Sequence, residues 1–197
     1  MRQLRLATTN PHKVREVRGL LTDVAVRVET LAGLPPIPEP DETADTFEGN
    51  ARLKARYYAA RFPGELVVSE DSGLEIDALD GAPGVHSARF LGADASYPAR
   101  FDEILRRLSG VAEARRTARF VCALVVARGD DLLFETRGVV DGVIARAPAG
   151  SGGFGYDPIF FSPQLGTTLA EAGDGKAAVS HRGKAVAALS RWLHDLK

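Results

Sequence analysis

The spacing of apolar residues changes period several times along the 197-residue chain, and each change marks a new element. Residues 3–8, QLRLAT, alternate with period two and predict a strand. Over 10–21, NPHKVREVRGLL, Val14, Val17, Leu20 and Leu21 share one helical face, with Asn10 suited to the N-cap and Pro11 to the first helical position. Residues 24–30, VAVRVET, return to strand alternation. A Pro-rich, acidic connection leads into a helix over 46–62, where Asp45 and Glu48 stand at capping-box spacing. Apolar runs over 65–71, 73–79, 118–129 and 131–146 predict strands, and Gly73 permits a tight turn after the first. Residues 97–110 are amphipathic and helical, and 147–158, APAGSGGFGYDP, are a Gly- and Pro-rich loop. The chain closes with a helix over 180–196, with Ser180 at the N-cap position, Val186, Leu189, Leu193 and Leu196 on one face, and Trp192 as packing. Helices interleaved with strands predict an α/β fold on a mixed sheet, as one domain of two lobes over 1–197.

Composition narrows the partners. Lys and Arg (25) nearly balance Asp and Glu (26), so neither nucleic acid nor an anionic membrane is expected to be held by bulk charge. Any phosphate chemistry must rest on a few placed cations. The single cysteine, Cys122, has apolar neighbours and reads as a small core residue, in keeping with a reducing compartment. No signal-peptide core and no apolar stretch near ~18 residues is present, so the cytoplasm is the expected location.

Four stretches carry candidate chemistry. ATTNPHK ends a strand and opens a helix, where N–H groups, Thr8, Thr9, Asn10 and Lys13 offer donors to phosphate, although, taken alone, Asn10 as a simple cap is the better explanation. SEDSGLEID sets Glu70 beside Asp71 at the end of an apolar run. Pleating sends the two to opposite faces, so one carboxylate faces a site and suits Mg²⁺ while the other assists from behind; solvated charges at a turn are the alternative. GSGGFGYDP offers close backbone approach, the flat faces of Phe154 and Tyr156, and Asp157 as an acceptor; a glycine-rich turn with a core aromatic is the alternative. GKAAVSHRGKA brings Lys176, His181 and Arg182 around a helix start, although an ordinary helix beginning with Ser and a basic residue is the alternative.

Five stretches in order, LATTNPHKVREV, ETADTFEGNARLKA, SEDSGLEIDALDGAPGVHSARF, GGFGYDPIF and SHRGKA, resemble the inosine triphosphate pyrophosphatase family, the non-canonical purine (dITP/XTP) pyrophosphatases. The resemblance implies Mg²⁺-dependent hydrolysis of ITP, dITP and XTP to monophosphate and pyrophosphate, which cleanses the nucleotide pool. It also implies a homodimer and an elongated mixed sheet with a cleft between two lobes. By position, Thr8, Thr9, Asn10, Pro11, His12 and Lys13 would hold phosphate, and Asp71 would be proton acceptor and metal ligand. Glu42 would be the second metal ligand, and Ser72 would contact substrate. Phe154, Gly155, Tyr156, Asp157, Lys176, His181 and Arg182 would line the nucleoside site, with Arg182, a donor only, donating to the base oxygen at C6. Two departures stand out: the doublet is Glu-Asp where many bacterial relatives have Asp-Asp, and Glu48 precedes Gly49 rather than the asparagine. A nucleotidase of other specificity and a catalytically silent nucleotide sensor are the rival readings.

Overall fold

In the computed structural model, which describes residues 2–196, β1 (Arg2–Leu6) leads into α1 (Pro11–Leu20). Asn10 caps α1, its side chain accepting from the N–H groups of His12 and Lys13 at 2.9 and 3.4 Å, and Pro11 opens the first turn, where its missing N–H costs nothing. β2 (Val26–Thr30) returns parallel to β1, with Leu4 opposite Val28. The next helix, α2 (Phe47–Ala59), is capped by Thr46, whose hydroxyl accepts from Gly49 N–H at 3.1 Å. The expected capping box of Asp45 and Glu48 does not form, because Glu48 reaches Arg137 at 2.8 Å instead.

The strands expected over 65–71 and 73–79 are one strand, β3 (Leu66–Ile76), with Gly73 inside it. Leu66, Val67, Val68, Leu74 and Ile76 are all buried. With apolar residues covered on both sides, continuing the ladder costs less than a turn that would orphan its backbone groups. The acidic doublet therefore lies in mid-strand. Downstream come α3 (Tyr97–Arg107), capped by Ser96, and β4 (Thr117–Arg128), joined by a two-residue turn to β5 (Asp131–Ile144). Gly129 takes a positive φ of 57° in that turn, as such a hairpin demands. Three pieces too short for a periodic signal follow, β6 (Phe160–Ser162), β7 (Thr167–Thr168) and α4 (Lys176–Val179), before the closing α5 (His181–Asp195).

The seven strands form one open mixed sheet in the order β2-β1-β3-β4-β5-β6-β7, parallel where β1 meets β2 and β3 and antiparallel where β6 meets β5 and β7. The chain divides into two compact units. The first contains the chain up to Asp71, Cys122–Gly138 and the chain from His181; the second contains Ser72–Val121 and Val139–Ser180. In the first, Leu4, Leu6, Val17, Leu66, Val68, Leu124 and Val126 pack with Val186, Leu189 and Leu193 of α5. Full burial of each such side chain stabilises by about 1.5–3 kcal/mol. Trp192 stacks on Phe134 with ring centroids 5.2 Å apart, as packing. In the second, Leu74, Ile76, Phe101, Ile104, Phe120, Tyr156 and Phe160 form the core. No described helix is long and apolar enough to cross a membrane.

Candidate active site

Because β3 alternates, Glu70 falls on the face of Leu66 and Val68, which α1 and α5 cover, and Asp71 on the other. Each carboxylate has its own set of partners. Glu70 accepts from Arg182 Nε at 2.9 and 3.2 Å and from the Cys122 thiol at 2.9 Å, and it pairs with Lys13 Nζ at 3.2 Å. Arg182, only 1% exposed, also donates Nη1 to Glu16 at 2.6 Å. Burial alone would raise the Glu70 pKa, but the Arg182 guanidinium and then Lys13 carry it well below the usual carboxylate range. Glu70 is thus ionised and held from three sides. Cys122 is a small core residue as expected, with the added task of hydrogen-bonding this carboxylate.

On the opposite face, Asp71 Oδ1 accepts from Lys54 Nζ at 3.1 Å, and the same ammonium donates to Glu42 Oε1 at 2.6 Å. Asp71 Oδ2 faces Asn50 Nδ2 at 3.3 Å. Burial raises the Asp71 pKa, Lys54 opposes the shift and Glu42 adds to it. Burial also works against the charge on Lys54, yet Asp71 and then Glu42 outweigh it and raise the lysine's pKa. Sequence reasoning passed over Asn50 and Lys54, though a signal was present. Phe47, Asn50, Ala51, Lys54, Ala55 and Tyr58 share one helical stripe, and all but Lys54 are buried by whole-residue exposure. Two polar residues set into a buried stripe need a polar partner.

The loop before α1 is closed by the Asn10 cap. The N–H groups of His12 and Lys13 bond to the Asn10 side chain, the Val14 N–H bonds to the Asn10 carbonyl, and Pro11 has none. Thr8 Oγ1 accepts from Asn10 N–H at 3.2 Å, and Thr9 Oγ1 donates to Glu39 at 2.6 Å. Thr8, Thr9 and Pro11 border a cavity of about 530 Å³, which Val14, Arg15 and Arg18 also line.

In the second unit, the glycine-rich loop is closed by Asp157, whose Oδ2 accepts from Phe154 N–H at 2.8 Å and from Lys176 Nζ at 2.7 Å. Gly153 (φ 70°) is required here, since a Cβ would meet Asp157 Oδ2. Gly155 lies in the loop at φ 67°, and Lys176 Nζ stands 5.2 Å from the Phe154 ring centroid. Tyr156 does not present a flat face: its ring packs edge-on to Tyr97 in the core and its hydroxyl donates to the Ser87 carbonyl at 2.8 Å. Asp157, expected as an acceptor for ligand, is 2% exposed and holds the loop instead. Phe154 remains half-buried, its ring beside the ammonium. Ser72 follows Asp71 on β3 and is partly exposed. His181 is buried at the start of α5, where its carbonyl lies so close to Gly138 that a Cβ there would collide with it. Arg182, expected to read the base, is turned inward, with Nε on the buried Glu70 and Nη1 on the partly exposed Glu16, which together pair its buried charge.

No group of three or more His, Cys, Asp or Glu suited to a metal occurs among the described residues. Two carboxylates, Asp71 and Glu42, do converge on one point, now held by the Lys54 ammonium. Oxygen donors alone, two in number and already gathered around a cation, fit Mg²⁺, which completes its shell with water and phosphate oxygens.

An open, mixed α/β sheet whose inner strand carries two buried carboxylates, each paired with basic side chains, defines the class: an α/β protein with an acid doublet built into the sheet. The chain belongs to the Ham1 family, whose profile it matches over residues 4–192. It is 51% identical over 185 residues to a dITP/XTP pyrophosphatase of Exiguobacterium sp., covering 93% of each chain. Among solved structures it is similar to a HAM1 protein from Coxiella burnetii, with a TM-score of 0.89, 37% identity and coverage of 99% of this chain and 100% of that one. It is also similar to a nucleoside-triphosphatase, dITP/XTP pyrophosphatase, from Mycobacterium abscessus, with a TM-score of 0.74, 39% identity and coverage of 95% and 98%.

Proposed function

We propose that this chain is a nucleoside triphosphate pyrophosphatase that hydrolyses dITP, ITP and XTP to the monophosphate and pyrophosphate, clearing deaminated purines from the nucleotide pool. The carrying observation is the meeting of Asp71 and Glu42 at the Lys54 ammonium, in a chain 51% identical to a relative of that activity. Asp71 accepts the proton of the water that attacks the α-phosphorus. The bond from that phosphorus to the bridging oxygen breaks, and pyrophosphate leaves with its electron pair. Burial makes Asp71 a better base than a solvated carboxylate, and Lys54 keeps it from protonating permanently. Lys13 and Lys54 supply fixed positive charge for the phosphates, and Thr8 and Thr9 supply hydroxyls. Mg²⁺, held by Asp71 and Glu42, would neutralise phosphate charge and polarise the phosphoryl oxygens.

The nucleoside is assigned to Phe154, Gly155 and Lys176, supported by the half-buried ring beside an ammonium that Asp157 anchors. Selection of a 6-oxo purine needs a donor at that oxygen. Arg182 supplies one when a guanidinium nitrogen leaves Glu16 or Glu70, while His181 and Ser72 complete the assignments. The proposed assembly is a homodimer in the cytoplasm, for which light scattering should give twice 21.1 kDa.

The test is separate measurement of pyrophosphate and orthophosphate release from dITP, XTP, ITP, GTP and ATP, with Mg²⁺ and after chelation. Asp71→Asn should keep the fold and lower kcat by about 100- to 10,000-fold. Pyrophosphate release near the wild-type rate in that variant refutes the assignment, and orthophosphate as sole product favours a nucleotidase.

A further inference from the structure

Asn50 is fully buried at the first turn of α2, and its carboxamide bonds in two directions. Oδ1 accepts from the N–H of Ala44, two residues beyond Glu42, at 3.0 Å. That donor settles the orientation of the amide: a backbone N–H bonds only to the oxygen, so the NH₂ group is the one facing Asp71 Oδ2 at 3.3 Å. Lys54, one turn further along α2, makes a parallel pair of attachments, to Asp71 Oδ1 and Glu42 Oε1. The helix therefore joins Asp71 to the 42–44 segment by two rungs, one charged and one neutral.

The rungs respond differently to a ligand. A divalent cation taken up by both carboxylates competes directly with the Lys54 ammonium, and phosphate attracts the same ammonium away. Asn50 competes for neither, since it uses the other oxygen of Asp71 and a backbone N–H. We propose that Asn50 is a positioning residue for the hydrolysis: it keeps the Asp71 carboxylate aligned with the Glu42 segment when Lys54 is drawn off. This rests on Asp71 and Glu42 being the acidic pair of the site.

Asn50→Ala removes both bonds, whereas Asn50→Asp keeps an acceptor for Ala44 N–H and loses the donor to Asp71. Mg²⁺ affinity measured by calorimetry without substrate should fall about 10- to 100-fold in Asn50→Ala, and kcat should fall with it. In Asn50→Asp, kcat should stay as low, because restoring the segment's bond does not restore the carboxylate's. Wild-type Mg²⁺ affinity in the alanine variant, or wild-type kcat in the aspartate variant, overturns the proposal. If Asn50→Ala fails to fold, the side-chain amide resonances of Asn50 in the wild-type protein decide it. They should shift when Mg²⁺ is added without substrate, and resonances unmoved at saturating Mg²⁺ overturn the role. Full turnover in Asp71→Asn defeats the functional reading itself; loss there with normal Asn50 variants defeats only the positioning role.

Discussion

Replacing Arg182 by Met removes a guanidinium whose side chain is 1% exposed and leaves a chain of similar volume in its place. Glu70, with a side chain 6% exposed, loses its Nε partner, and Glu16, 25% exposed, loses Nη1. Removing one member of a buried ion pair costs about 3–5 kcal/mol, mostly from the charge left behind. Glu70 still has Lys13 and the Cys122 thiol, and Glu16 can reach water, so the cost belongs at the lower end, about 3 kcal/mol. For a chain of this length each kcal/mol shifts Tm by about 2–4 °C, which predicts a fall of about 6–12 °C. Calorimetry of Arg182→Met, Glu70→Gln and the double variant tests this. The double variant should be more stable than the sum of the single losses predicts, because it leaves no stranded charge on β3. A Tm within about 2 °C of wild type for Arg182→Met, or strict additivity, would show that the pair does not carry the assigned electrostatic weight.

Three further outcomes follow from local geometry. Gly138→Ala places a methyl against the His181 carbonyl and the Ala185 N–H, so it should lower Tm and turnover together, whereas Gly19→Ala, inside α1 with open space around it, should leave turnover unchanged and raise Tm slightly. Thr46→Ala removes the hydroxyl that caps α2 and should cost about 1 kcal/mol in urea titration, with Asp45→Ala nearly neutral as the control. Cys122 should resist a thiol reagent in the native protein and react fully in denaturant, since it is fully buried; rapid native labelling contradicts its place beneath Glu70.

Much of the architecture was legible where the cause was local. Asn10-Pro11 marks the start of α1 because an amide cap and a ring-fixed φ act within one turn of chain. The stripe Val186, Leu189 and Leu193 marks α5 because burial repeats with the helical period. Where two local signals competed, sequence could not rank them. Asp45 and Thr46 both cap well, and the choice fell to Thr46 once Glu48 was drawn to Arg137 on another element. Gly73 read as a turn, but a turn was excluded by the burial of apolar residues on both sides of it.

The sequence by itself determined that Glu70 and Asp71 differ, since adjacent residues of a pleated strand face opposite ways and need separate environments. It also carried the ordered motifs of the family. Only the tertiary structure decided what those environments are. Arg182 reaches Glu70 from 112 residues away, and Lys54 and Asn50 reach Asp71 from 17 and 21 residues away. Such pairings depend on which helix covers which face of β3. No local periodicity encodes that choice, because it is settled by how the apolar stripes of α1, α2 and α5 are buried together with the sheet.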